Sequence, residues 1–143
     1  MLKLILGSLA GLAGVMLKLA PALDSQLQRD SDMTHFDYLC LAMLSEAEEK
    51  TLRMSELAAQ VNASLSRLSH VVKKLEMRGW VERFPCPDSR RVTMVRLTDK
   101  GWEVLVAAAP GHVETVRALV FDGLDREEVA ALERIAGHVV QQI

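Results

Sequence analysis

The stretch from Leu52 to Gly101, LRMSELAAQVNASLSRLSHVVKKLEMRGWVERFPCPDSRRVTMVRLTDKG, decides the fold. Its first half reads as two short helices. Ser55 and Glu56 open one that carries Leu57, Ala58 and Val61 and stops at Asn62. Ser64 then has the chemistry of an N-cap, its hydroxyl able to accept from a free backbone N–H of the next turn. Leu65, Leu68, Val71, Val72 and Leu75 recur at helical steps and are expected inward. Ser66, Arg67, Ser69, His70, Lys73 and Lys74 fall on the other face, and Gly79 is the expected terminator. Two helices joined by a three-residue turn, the second with a basic, small-polar face, suit helix-turn-helix reading of DNA. Next come the β-type runs Val81–Phe84 and Val92–Leu97. They flank the turn-rich segment 85–91 with its adjacent Arg90 and Arg91. A hairpin directly after a recognition helix makes a wing able to enter a neighbouring minor groove.

Charge supports this reading. The whole chain of 143 residues carries a formal −2, but residues 64–100 hold nine Lys or Arg against Glu76, Glu82, Asp88 and Asp99. That segment is +5 and the remainder −7, the footprint of a localised polyanion site inside an acidic protein. Half the residues are apolar and only 4% aromatic, which excludes a disordered chain and points to a helical core of Leu, Val, Ala and Met.

The flanks read as helices. Thr34 and Asp37 resemble a capping box opening an apolar helix through Leu44. Thr98 caps a helix bearing Trp102, Leu105 and Val106, which Pro110-Gly111 is expected to kink or break before Val113–Val120. Asp125 and Glu128 form a second box ahead of a stripe of Val129, Leu132, Ile135, Ala136, Val139 and Val140. Residues 1–23 imitate a secretory signal, with Lys3, an uncharged run and Ala20-Pro21-Ala22. The run between Lys3 and Lys18 is short for a membrane span. Leu2, Ile5, Leu9, Leu12, Met16 and Leu19 follow helical steps, so the expectation is a helix packed against a partner chain and continued past a kink at Pro21.

The stretch 52–101 resembles the winged-helix core of the multiple-antibiotic-resistance regulator (MarR) family, and the flanking helices extend the likeness over most of the chain. Asp88-x-Arg90 followed by Leu97-Thr98 is its most specific element. The resemblance implies a mainly α (α+β) fold. A winged helix-turn-helix at 33–103 would be flanked by helices at 1–32 and 104–143 that intertwine in a homodimer. It implies a recognition helix at 64–78, a wing at 85–92 with Arg90 at its tip oriented by Asp88, and a pseudopalindromic double-stranded DNA operator. It also implies a cytoplasmic repressor released by a small molecule or other signal, with no membrane partner. The expected DNA-binding residues are Ser64, Ser66, Arg67, Ser69, His70, Lys73, Lys74, Asp88, Arg90 and Arg91. The alternative is a winged-helix module that binds protein instead of DNA.

Other chemistry finds little support. His35, His70, His112 and His138 are scattered without His-Glu-x-x-His spacing, so neither a metal nor a cofactor is expected. No phosphate loop, nucleophile triad or carboxylate cluster marks an enzyme. Cys40 reads as a core residue, whereas Cys86, in a loop beside Arg83 and Arg90, is the one candidate for a reactive thiol. Met33, Met43, Met54 and Met77 read as core filler.

Overall fold

The computed structural model describes residues 1–143. Helix α1 (Leu2–Ser31) leads into α2 (His35–Glu46), a single 3-10 turn at Glu48–Lys50 and the short strand β1 (Thr51–Arg53). Helices α3 (Met54–Gln60) and α4 (Leu65–Met77) follow, then the hairpin β2 (Val81–Cys86) and β3 (Ser89–Leu97). The chain closes with α5 (Asp99–Val116), a π-helical turn at Arg117–Phe121 and α6 (Arg126–Gln142). This is a mainly helical winged helix-turn-helix with a small antiparallel sheet in the order β1-β3-β2.

The caps form as their chemistry dictates. Thr34 Oγ1 accepts from Asp37 N–H at 3.0 Å, while Asp37 Oδ2 accepts from Thr34 N–H at 3.0 Å. Asp125 and Glu128 reciprocate in the same way at the start of α6. Ser64 Oγ accepts from Arg67 N–H and fixes the first turn of α4. Around these ends Leu27, Leu41, Leu44, Leu57, Leu68, Val72, Leu75 and Val95 form a core excluded from solvent.

Strand β1 was absent from the sequence expectation. Three residues carry too little periodicity to announce a strand, and this one exists only because Leu52 pairs with Val95 of β3. Of the two helical prolines, Pro21 lies within a continued helix as expected, whereas the break foreseen at Pro110-Gly111 does not occur. Helix α1 runs unbroken through Pro21 and α5 through Pro110. Each proline removes one helical hydrogen bond, but both lie exposed beside exposed Leu17 and Val106, so the orphaned carbonyls can be hydrated. The irregularity in the final third falls instead at the π turn, closed by Asp122 N–H to Arg117 carbonyl at 2.8 Å.

Leu97-Thr98 and Gly101 lock the wing to α5. Thr98 N–H donates to the Trp80 carbonyl at 3.0 Å, its hydroxyl donates to the Gly79 carbonyl at 2.7 Å, and Gly101 N–H donates to Thr98 Oγ1 at 3.0 Å. A Cβ at Gly101 would collide with the Trp80 carbonyl and Leu97 Cδ1.

In contrast to this core, α6 buries no residue and the start of α1, through Leu12, is exposed throughout. Leu2, Ile5, Leu9 and Leu12 on α1, with Leu132, Ile135, Val139 and Val140 on α6, leave broad apolar faces uncovered. By length and hydropathy alone the segments Leu2–Ser31 and Asp99–Phe121 could cross a membrane.

Candidate nucleic-acid interface

All ten residues expected to meet DNA are exposed, but they do not share one face. At 100° per residue, buried Leu68, Val72 and Leu75 define the inner side of α4. Diametrically opposite stand Ser66, His70, Lys73 and Met77. Met77 is 81% exposed and is therefore surface, not the core filler expected of it. Leu65, expected inward, is 55% exposed because it lies on the flank toward the wing. That flank, with Leu65 and Ser69, faces Arg91, Val92 and Thr93 of β3 across a cleft of about 320 Å³ that Met54 and Ser55 of α3 also line.

The other flank of α4 turns toward the α1–α2 corner. The Arg67 guanidinium lies 4.2 Å from the centre of the Phe36 ring, a cation–π contact. Two turns on, the Lys74 ammonium sits 2.8 Å from both carboxylate oxygens of buried Asp37. Arg78 reaches Asp32. The polar face read from sequence is thus split in two: Ser66, His70 and Lys73 point outward, while Arg67 and Lys74 grip α2. Periodicity shows only that these residues avoid the core. Which neighbour takes the flank depends on packing.

The same pairing thins the basic island. Of its nine cations, Lys74, Arg78, Arg83 and Arg96 pair with Asp37, Asp32, Glu76 and Glu82. Arg83 of β2 donates from Nε and Nη2 to Glu76 Oε2 at 3.1 and 2.8 Å, clasping the wing to α4. These hydrogen bonds hold the Glu76 carboxyl below the usual carboxylate range. Arg67, Lys73, Arg90, Arg91 and Lys100 stay outside every ion pair; with Arg67 on the Phe36 ring, Lys73, Arg90, Arg91 and Lys100 are the cations offered to solvent.

The wing is tighter than the expected loop. Cys86 pairs with Ser89 across a turn of Pro87 and Asp88, so Pro85, Cys86 and residues 89–92 belong to strands. Register then slips between Pro85 and Cys86, because Pro85 faces Thr93 and leaves Arg90, Arg91 and Val92 as extra residues on β3. Prolines at 85 and 87 supply no N–H to a ladder, which an edge strand such as β2 tolerates. The resulting bulge carries both arginines, a device that re-aims side chains. Asp88 and Arg90 form no ion pair with each other in the structure.

Cys86 corrects another expectation. It ends a strand at 8% exposure, not in an open loop, so a reactive thiol finds no access there. Cys40 is fully buried, and burial pushes its thiol up to about 12, as befits a core residue. Behind α4, at the meeting of α1, α2 and α5, lies a histidine pair that sequence spacing does not reveal. His112 is buried, with Nδ1 2.8 Å from Gln26 Oε1 and its ring centre 4.2 Å from that of Tyr38 and 5.5 Å from that of His35. Burial lowers the pKa of both imidazoles.

Comparison with known proteins agrees with the geometry. A sequence profile of the MarR family matches residues 33–93. Sco3205, a MarR family transcriptional regulator from Streptomyces coelicolor crystallised in complex with DNA, is 43% identical. That match covers 98% of this chain and 86% of Sco3205 with a TM-score of 0.87. AbsC, another such regulator from the same organism, is 35% identical over 92% of this chain and 91% of its own, with a TM-score of 0.84. The transcriptional repressor MprA of Escherichia coli is 27% identical over 106 residues, 74% of this chain and 60% of MprA, so the match spans about three fifths of that repressor. Extended likeness at this identity, on a winged helix with its wing anchored through Thr98 and Gly101, makes this chain a member of the MarR family of transcriptional regulators.

Proposed function

We propose that this protein is a cytoplasmic, homodimeric transcriptional repressor that binds a pseudopalindromic operator. The observation that carries the reading is the arrangement on one side of the molecule. Ser66, His70 and Lys73 project from α4 away from the core, Arg91 of the β3 bulge lines one cleft with Ser69 of α4, and Arg90 is exposed on the same bulge. A helix of this kind fits the major groove with its first turns nearest the base edges. Arg90, close to the turn of the wing, suits the adjacent minor groove, where narrow A·T-rich segments attract a guanidinium. Lys73 and Arg91 serve phosphates. Arg67 and Lys74 act mainly by fixing α4 against α2, and Ser64 by capping its first turn. The crystal structure of a MarR mutant from Escherichia coli in complex with operator DNA, 27% identical at a TM-score of 0.75, supports operator DNA as the partner.

The second copy of the chain would cover the apolar faces of α1 and α6. An apolar cleft of about 540 Å³ between these helices, lined by Val15, Leu19, Leu119, Leu124 and Leu132, belongs to the same region. Residues 1–32 and 104–143 are the dimerisation region on this reading, and 33–103 the DNA-binding domain. The cleft lies wholly within the dimerisation region, so a small-molecule effector bound there would act through the pairing of the two copies.

The test is a gel shift of the DNA upstream of the protein's own gene, titrated with salt. Specific binding should weaken steeply as salt rises, since each phosphate neutralised contributes about 0.9 to the log–log slope. Binding that ignores both salt and sequence would overturn the proposal and favour a protein-interaction module.

A further inference from the structure

The last turn of α1 and the last turn of α4 meet at one guanidinium. Arg78 is the C-cap residue of α4, and Asp32 is the C-cap residue of α1, held in a left-handed conformation at φ 50°. Arg78 Nη1 donates to the Asp32 carbonyl at 2.6 Å, and its Nη2 lies 3.3 Å from Asp32 Oδ2. The second oxygen of that carboxylate accepts from Gln28 Nε2 at 2.7 Å, which pins it to α1. The other face of the guanidinium stacks on Trp80 at 3.6 Å. Trp80 is itself buried and tied to α5 through its carbonyl. One cation thus sits at the negative ends of two helix dipoles and is held by backbone, carboxylate and ring together.

We infer that Arg78 is a positioning residue that sets the angle of α4 against α1 and so fixes the half-site spacing the dimer accepts. The inference rests on the proposed reading of α1 as a dimer helix and α4 as the recognition helix. If α1 meets its two-fold mate, any looseness between α1 and α4 is looseness between the two reading heads. One base pair of spacing moves a half-site by about 3.4 Å along the duplex and turns it by roughly 35°. The other anchors of α4 reach other elements: Phe36–Arg67 and Asp37–Lys74 tie it to α2, Glu76–Arg83 ties its last turn to the wing, and Leu68, Val72 and Leu75 pack beneath. The C-terminal end of α4 has Arg78 as its link to α1. An exposed ion pair alone would not hold an angle, because long side chains in water are free to rearrange. Here the carbonyl and the ring constrain the plane of the guanidinium, which a lysine could not reproduce.

The experiment uses the full-length protein and the pseudopalindrome that the wild type selects from a randomised duplex pool. Duplexes with one or two base pairs inserted or removed between the half-sites are titrated by fluorescence anisotropy. For the wild type, each single-base-pair change should cost about tenfold or more in affinity. For Arg78→Ala and Arg78→Lys the penalty should shrink to about threefold or less, with discrimination against base changes inside a half-site preserved. Thermal melts establish that the variants are folded, and Arg78→Lys carries the test where Arg78→Ala melts early. Wild-type spacing penalties in a folded variant overturn the inference and leave the functional reading standing. A wild type that selects no pseudopalindrome overturns both.

Discussion

Replacing Gly101 by alanine sets two effects of opposite sign against each other. Gly101 is the third residue of α5, and glycine costs up to about 1 kcal/mol relative to alanine in a helix, so propensity alone predicts stabilisation. Tertiary structure says otherwise. The new methyl would run into the Trp80 carbonyl and Leu97 Cδ1. The side chain can rotate, but the carbonyl cannot, because it accepts from Thr98 N–H at 3.0 Å. Relief requires α5 to shift away from the base of the wing, at about 1–3 kcal/mol for overpacking of this kind plus part of that hydrogen bond. The steric term wins, and Gly101→Ala should destabilise by roughly 1–3 kcal/mol net. Gly111→Ala in the same helix is the control, since the nearest atoms to its added methyl are 4.0 Å away. That variant should be neutral or stabilised by up to about 1 kcal/mol. Urea unfolding at one fixed protein concentration measures both, since any self-association contributes to apparent stability. If Gly101→Ala were as stable as Gly111→Ala, the close approach of α5 to the wing would be wrong.

Lys74→Met leaves the buried Asp37 carboxylate without its cation and should cost about 1–3 kcal/mol in urea unfolding, recovered in large part when Asp37→Asn is added. Lys73→Ala, by contrast, should leave stability unchanged and flatten the salt dependence of DNA binding by about 0.9 for each phosphate no longer neutralised, alike for all sequences. For pH, burial places His35 and His112 below their ordinary value of 6.5, so the unfolded chain binds more protons than the folded one. Stability therefore rises with pH, and is lost as pH falls through 6.5 toward the folded values. His112→Gln should reduce that loss in thermal melts between about pH 7.5 and 5.5, whereas an unchanged slope would place the titration elsewhere. Light scattering of the pure protein should show no stable monomer, because the uncovered apolar faces of α1 and α6 exceed what one subunit can bury.

Much of this protein is legible in the chain itself, because the deciding signals are local. Ser64, Thr34, Thr98 and Asp125 cap their helices through oxygens that reach only three residues, so their neighbours in sequence suffice. The apolar steps of Leu68, Val72 and Leu75 identify the inner side of α4, since helical geometry sets that spacing without reference to a partner. The excess of positive charge between Ser64 and Lys100 likewise needs no coordinates. What the sequence could not determine is whatever depends on a distant neighbour. Leu52 becomes a strand residue only opposite Val95. Cys86 is a buried strand end only through its pairing with Ser89 across the turn, and the helix survives Pro110 because the proline and the residue whose carbonyl it frees both face solvent. Above all, Arg67 and Lys74 look identical in kind to His70 and Lys73 along the chain, each a polar residue off the core face. Only the packing of Phe36 and Asp37 against one flank of α4 separates the side chains that hold the helix from those left facing solvent. Side-chain periodicity specifies what avoids the core, and the tertiary fold alone specifies what stands beside it.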